Sequence, residues 1–217
     1  MTAARLGLFG GTFDPVHNAH LFVAEGAREE LALDRIVFLP GKGSRHRDAA
    51  PSAPEADRVA MLRLAIADNS GFALDESDLA PEATGYTADL IPRLRARYPD
   101  AHLTFIVGGD SLIASPWQRF DAVLDGLDAF AVAPRLDRPL DPLHALLARL
   151  TAERRAKVRI LALPMLGESA TLVRARLAAR ASVRYIVPEP VRLYIERHEL
   201  YQEVSTDRRP EPSPHAG

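Results

Sequence analysis

Short apolar runs alternate with segments of helical period, and this alternation organises the chain. Residues 5–9, 35–40, 72–75, 103–107, 129–133 and 158–163 read as strands. Arg5–Phe9 and Leu103–Val107 carry apolar side chains on both faces, as strands covered on both sides do. Between the strands, apolar residues recur every three or four positions. A helix is predicted after Pro15, with Leu21, Val23, Ala24, Ala27 and Leu31 inward. Glu55–Ala67 follows with Val59, Met61, Leu62, Ala65 and Ile66 inward, then Thr87–Tyr98 with Leu90, Ile91 and Leu94 inward. Pro92 suits only a first turn, so that third helix is expected to begin near Asp89. Trp117–Leu124, Leu140–Lys157, Glu168–Ala179 and Pro188–Glu199 complete the helices. Strand, helix and strand in the first 40 residues argue a βαβ unit. The pattern predicts an α/β fold: a doubly wound, mainly parallel sheet flanked by helices, with a small helical C-terminal part. Residues 1–204 read as one domain, and the Pro-, Ser- and charge-rich residues 205–217 as a disordered tail.

Composition narrows the chemistry. The chain has 217 residues, 47% of them apolar and 26% charged, with a net charge of −2. That balance gives no global basic field for nucleic acid, so an anionic ligand needs a local site. There is no cysteine, which removes disulfides, thiolate zinc sites and thiol nucleophiles. The N-terminus lacks a charged segment followed by a long apolar core, and no apolar run approaches the ~20 residues of a membrane span. A cytoplasmic location is the expectation.

Chemistry concentrates where strands end. Gly10 and Gly11 follow the first strand and read as a turn that lets a ligand approach the backbone. His17 and His20, three apart, share a face at the start of the next helix. Backbone N–H groups, a positive helix end and two imidazoles together suit a polyphosphate. Lys42, Arg45, His46 and Arg47 form a basic loop after the second strand, read either as a solvated connection or as part of a phosphate site. Gly108 and Gly109 repeat the strand-to-glycine pattern, with Asp110 and Ser111 behind them; Asp110 suits ribose hydroxyls or a helix N-cap. If the two glycine-bearing ends are neighbours, the crevice between them is where doubly wound folds bind nucleotides. Ser169 and Thr171 at a helix start, with Arg174 one turn on, suit phosphate oxygens or a capped helix with a surface arginine. Trp117, the one tryptophan, is either a core aromatic or a stacking surface. His17 and His20 without a third ligand make a poor zinc site.

These residues carry a resemblance. Gly11 through His20 is similar to the nucleotidyltransferase signature G-x-F-D-P-x-H-x-G-H, with Ala19 at the second glycine. Ser169–Arg174 resembles an S-[SA]-T-x-I-R motif, Gly108–Leu112 with Trp117 resembles a G-x-D-[SA]-L segment and its tryptophan, and Tyr86–Thr87 matches a helix-opening Y-T. Val187–Ile195 through Leu200–Tyr201 is similar as well. Over residues 5–202 the pattern resembles the bacterial nicotinate-nucleotide adenylyltransferase family. The family's P-P-H-[KR] loop is the departure: His46 and Arg47 are present, but Ser44 and Arg45 replace the prolines.

The resemblance implies a Rossmann-like fold and transfer of AMP from ATP to the 5′-phosphate of nicotinic acid mononucleotide, releasing pyrophosphate. It implies that His17, His20 and Arg174 are catalytic. It places ATP on Gly10, Gly11, Thr12, Phe13, His46, Arg47, Gly108, Asp110, Ser169 and Thr171, and the mononucleotide on Asp14, Thr87, Trp117 and Arg135. Mg²⁺ would bind through ATP phosphates, with no protein metal ligand. The implied partners are these two small molecules, with no nucleic acid and no membrane; a homo-oligomer stays open. Beside this reading stand a nicotinamide mononucleotide or pantetheine-phosphate adenylyltransferase, and a non-catalytic nucleotide sensor on the same fold. A class I aminoacyl-tRNA synthetase fragment is disfavoured because no K-M-S-K-S string occurs.

Overall fold

The computed structural model describes residues 3–43, 51–109, 112, 117–134, 141–164 and 166–202. His46, Arg47, Asp110, Arg135 and the predicted tail at 205–217 therefore lie outside the described residues. Among the described residues, six parallel strands form one sheet: β1 (Arg5–Gly11), β2 (Arg35–Pro40), β3 (Phe72–Leu74), β4 (His102–Gly108), β5 (Ala129–Ala133) and β6 (Val158–Ile160). Their order is β3-β2-β1-β4-β5-β6, so strand order reverses between β1 and β4. Gly10 pairs with Leu39 and Phe9 with Ile106, which sets the C-terminal ends of β1, β2 and β4 side by side.

The unbroken apolar runs follow from two covered faces. Successive side chains of a strand point to opposite sides. Phe9, Ile36, Phe38, Ile106 and Ala131 pack into one core cluster, while Leu8, Val37, Leu39, Phe105 and Phe130 pack into the other. The first face is covered by α1 (Asn18–Glu30), α2 (Glu55–Ile66), α7 (Ala170–Ala178) and α8 (Glu189–Arg197), through Ala24, Met61, Val173 and Ile195. The second is covered by α3 (Thr87–Arg97), α4 (Phe120–Asp125) and α5 (Asp141–Ala148), through Leu94, Val123 and Leu143. None of these helices is long and apolar enough to cross a membrane.

The structure corrects four local expectations. Gly10 and Gly11 remain in β1, and the turn comes after them. A Cβ on Gly10 would lie 2.9 Å from the Phe105 ring, and one on Gly11 would lie 2.9 Å from the Phe13 ring, so both glycines make room for aromatic packing. Helix α3 begins at Thr87, not near Asp89, with Pro92 as its sixth residue. It forms because the N–H groups of Asp89 and Leu90 both reach the Tyr86 carbonyl, ahead of the bond that proline removes. The predicted helix 140–157 is two: α5 ends, and Thr151 accepts the Arg154 N–H to start α6 (Ala152–Lys157). Strand β6 stops at Ile160, short of Leu163, because the Ala162 N–H turns to the Glu30 carboxylate on α1 at 2.9 Å. Leu163 then packs over Gly26 of α1, where a side chain would collide with it.

Candidate active site

A cleft of about 440 Å³ opens over the carboxyl ends of β1 and β4, at the reversal of strand order. Its floor is Gly10–Phe13 and Gly108. One end lies toward the first face and is walled by Ala19, Val23, Leu163, Pro164 and Leu166. The other lies toward the second face and holds Tyr86, Thr87, Leu90 and Trp117. The cleft is thus a polar middle between two largely apolar ends.

The middle is built by the turn after β1. Phe13 adopts φ 49°, a left-handed conformation that a bulky residue rarely takes, and its ring is buried. His17 is the N-cap of α1, and His20 is its third residue. The His17 N–H donates to Nδ1 of His20 at 3.2 Å, and the two rings stack with centroids 3.7 Å apart. With Nδ1 accepting, a neutral His20 carries its proton on Nε2. The Phe13 and Phe9 rings meet the His20 ring edge-on at 5.0 and 6.2 Å. His20 is therefore held in one orientation on three sides.

The opposite wall comes from the start of α7. Ser169 is its N-cap, accepting the Leu172 N–H at 3.1 Å, so the capping alternative holds for this serine. Its hydroxyl proton is not used in that bond. Arg174 is more than a surface residue. Its Nη1 donates to the Asp14 carbonyl at 2.6 Å, and its Nη2 lies 3.4 Å from Thr171 Oγ1. One arginine thereby ties α7 to the turn after β1 and keeps a guanidinium on the cleft that both histidines line.

Asp14 is the knot of this wall. Its carboxylate is buried and accepts three donors: the Ser52 N–H at 2.7 Å, the Ala53 N–H at 3.0 Å and the Tyr201 hydroxyl at 2.8 Å. It lines the cleft, yet both oxygens are already engaged by the protein. Burial, and then the neighbouring Asp14 charge, push the Tyr201 phenol well above the usual tyrosine range.

Arg58 was not among the residues expected at the site. It is 1% exposed, and its Nη1 donates to the Thr12 carbonyl at 2.6 Å and the Gly41 carbonyl at 2.9 Å. It clamps the ends of β1 and β2 from beneath. The signal was present: Arg58 precedes Met61 by three positions and Leu62 by four, and so lies on the inward stripe of α2. Asp78 was also missed. It lines the cleft from a short 3₁₀ turn (Ser77–Leu79), with Oδ2 2.9 Å from where a Cβ on Gly41 would lie. Burial pushes its carboxyl up to about 6, against the opposing charges of Arg93 and Lys42.

At the second-face end, the Trp117 ring packs edge-on against Phe105, Phe120 and Phe130, with centroids 5.7–6.2 Å away, while also lining the cleft. This tryptophan is a core aromatic that also presents surface to the cleft. Thr87 opens α3 beside it. Among the described residues, no group of three or more histidine or acidic side chains is placed to hold a metal ion.

With this geometry in place, the comparisons acquire a structural meaning. The cytidylyltransferase-like family model matches residues 8–176, from β1 to the Arg174 helix. A protein of Thermomicrobium roseum named as a probable nicotinate-nucleotide adenylyltransferase is 41% identical over 202 residues, covering 93% of each chain. One of Symbiobacterium thermophilum with the same name is 37% identical over 199 residues, 91% of this chain and 95% of that one. The Plasmodium falciparum nicotinic acid mononucleotide adenylyltransferase complexed with NaAD superposes with a TM-score of 0.71 at 18% identity, over 91% of this chain and 97% of that one. The last likeness speaks for the fold. The first three, spanning the turn after β1, the β4 end and α7 together, establish that this chain belongs to the nicotinate-nucleotide adenylyltransferase family.

Proposed function

We propose that the cleft joins ATP and nicotinic acid mononucleotide with the residues in the following roles. The single observation that carries the reading is the Arg174–Asp14 bond, because it brings the guanidinium to the turn that bears His17 and His20. The reaction is an in-line attack of a phosphate oxygen of the mononucleotide on the α-phosphorus of ATP. A new P–O bond forms as the bond to the β-phosphate bridge breaks, and the electron pair leaves on pyrophosphate. The attacking oxygen is already anionic, so no general base is needed. Catalysis rests on alignment and on charge stabilisation.

His20, with its proton on Nε2, donates to the α-phosphoryl oxygens, and His17 supports it from the N-cap. Arg174, Ser169 and Thr171 hold the β- and γ-phosphates as charge develops there. Gly10–Phe13 and Gly108 shape the floor. The apolar slot of Val23, Leu163 and Leu166 suits adenine, and Trp117 with Thr87 suits the pyridine carboxylate. Asp14 acts on the mononucleotide by holding the turn rather than by direct contact. The cleft is lined by Arg174, His17, His20 and hydroxyls, with the carboxylates of Asp14, Asp78 and Glu168; both Asp14 oxygens are engaged, and among the described residues no three of the acidic or histidine side chains converge on a metal position. That set fits Mg²⁺ carried by the triphosphate, where the ion would neutralise phosphate charge. A cytoplasmic location belongs to the same proposal.

Pyrophosphate release with ATP, measured in parallel on nicotinic acid mononucleotide, nicotinamide mononucleotide and phosphopantetheine, tests the reading. The first acceptor should have the highest kcat/KM. Release with none of the three would favour a nucleotide sensor.

A further inference from the structure

Lys42 sits two residues beyond β2, in the stretch whose charge suggested a phosphate loop. Its charge points elsewhere. Nζ donates to the carbonyls of Ala80 at 2.8 Å, Ala83 at 3.2 Å and Pro81 at 3.3 Å. An ammonium has three protons and accepts nothing, so these three carbonyls use its full donor capacity. All three belong to one segment, the loop between the 3₁₀ turn and α3.

The two ends of this contact are anchored differently. On the β2 side, the Gly41 N–H donates to the Gly11 carbonyl at 2.9 Å, and the Gly41 carbonyl accepts from buried Arg58. The backbone at Lys42 is therefore fixed to the floor beneath the phosphates. On the other side, the loop continues through Gly85, at φ 76°, to Tyr86 and Thr87 in the cleft. Its other contacts include a Thr84–Asp89 hydrogen bond at 2.7 Å and the Arg93–Glu82 ion pair, both solvent-exposed. Exposed pairs of this kind are weak. The lysine joins this loop to the end of β2 through three carbonyls.

We propose that Lys42 is a positioning residue for the mononucleotide. It sets the distance of Tyr86–Thr87 from the phosphate floor, and through that distance the affinity for one of the two substrates. The inference rests on the reading that Tyr86, Thr87 and Trp117 form the mononucleotide end.

Lys42→Met and Lys42→Arg separate the outcomes, with folding checked by circular dichroism and thermal unfolding. Lys42→Met should raise KM for nicotinic acid mononucleotide roughly tenfold while KM for ATP stays within about twofold. Amide hydrogen exchange over residues 83–87 should speed up in the same variant. Lys42→Arg presents several N–H donors to the same carbonyls and should recover most of the loss. An equal or larger rise in KM for ATP would make Lys42 a phosphate ligand and overturn the proposal. So would unchanged constants for both substrates. If Lys42→Met does not fold, a Lys42→Arg enzyme with a raised KM for ATP alone overturns it equally. Trp117→Ala, run in parallel, tests the underlying assignment. If it leaves KM for the mononucleotide unmoved, the placement of that substrate fails, whatever Lys42 does.

Discussion

The hydroxyl of Tyr201 donates to Oδ1 of Asp14 at 2.8 Å, across 187 positions of sequence. The end of the described chain thereby closes on the first turn of the candidate active site. The same carboxylate receives the Ser52 and Ala53 N–H groups, and the Asp14 carbonyl receives Arg174. Four distant segments meet at one residue.

Tyr201→Phe keeps the ring and removes the donor to a buried carboxylate. It should lower stability by about 1–3 kcal/mol in urea unfolding. Asp14→Asn should cost more, because an amide group would turn protons toward donors already present. It should also lower kcat, since Arg174 hangs on the same turn. A variant order with Tyr201→Phe as the more damaging change would show that Asp14 is not the centre of this network.

Arg58 predicts a larger effect from a position that touches no substrate. Arg58→Met leaves the Thr12 and Gly41 carbonyls without their buried donor. A loss of ~2–5 kcal/mol in chemical denaturation is expected, as for two buried acceptors left without their charged donor. Arg58→Lys should retain part of it. A loss below about 1 kcal/mol for Arg58→Met, the scale of an exposed pair, would mean that the clamp is solvated.

Asp78 predicts a pH dependence. Its carboxyl is raised from the ordinary 3.8 to about 6 by burial, so the folded state binds the proton more tightly than the unfolded chain. The stabilising contribution is therefore present below about pH 4 and is lost as pH rises through 6. Asp78→Asn, which stays neutral, should match the wild type near pH 3 and exceed it by ~2–3 kcal/mol above pH 6. A stability difference that does not change between those limits would remove Asp78 from this role.

Much of this was legible in sequence, for reasons that differ between residues. The strands were readable because both faces of the sheet are buried, so Leu103–Val107 is apolar but for the buried Thr104. His17, His20 and Arg174 were readable as cleft residues because each lies at a helix start or one turn in. Arg58 was hidden because a charged residue on a helix is normally taken as solvated, and only its spacing to Met61 and Leu62 argued otherwise. The joint at Thr151 was hidden because Leu143, Leu146, Leu147 and Leu150 all pack on one cluster, so the apolar stripe runs smoothly across the break. Lys42 was legible as a charge but not as a contact. Its three carbonyl partners lie about forty residues further on, and backbone carbonyls leave no trace in a residue pattern.

The most direct test of the account is the turnover of His20→Ala with ATP and nicotinic acid mononucleotide, followed by pyrophosphate release. Removing a donor aimed at developing phosphoryl charge should lower kcat by about 10²–10³ while the unfolding transition stays cooperative. A folded His20→Ala enzyme with near-normal kcat would contradict the assignment of the turn after β1 as the catalytic centre.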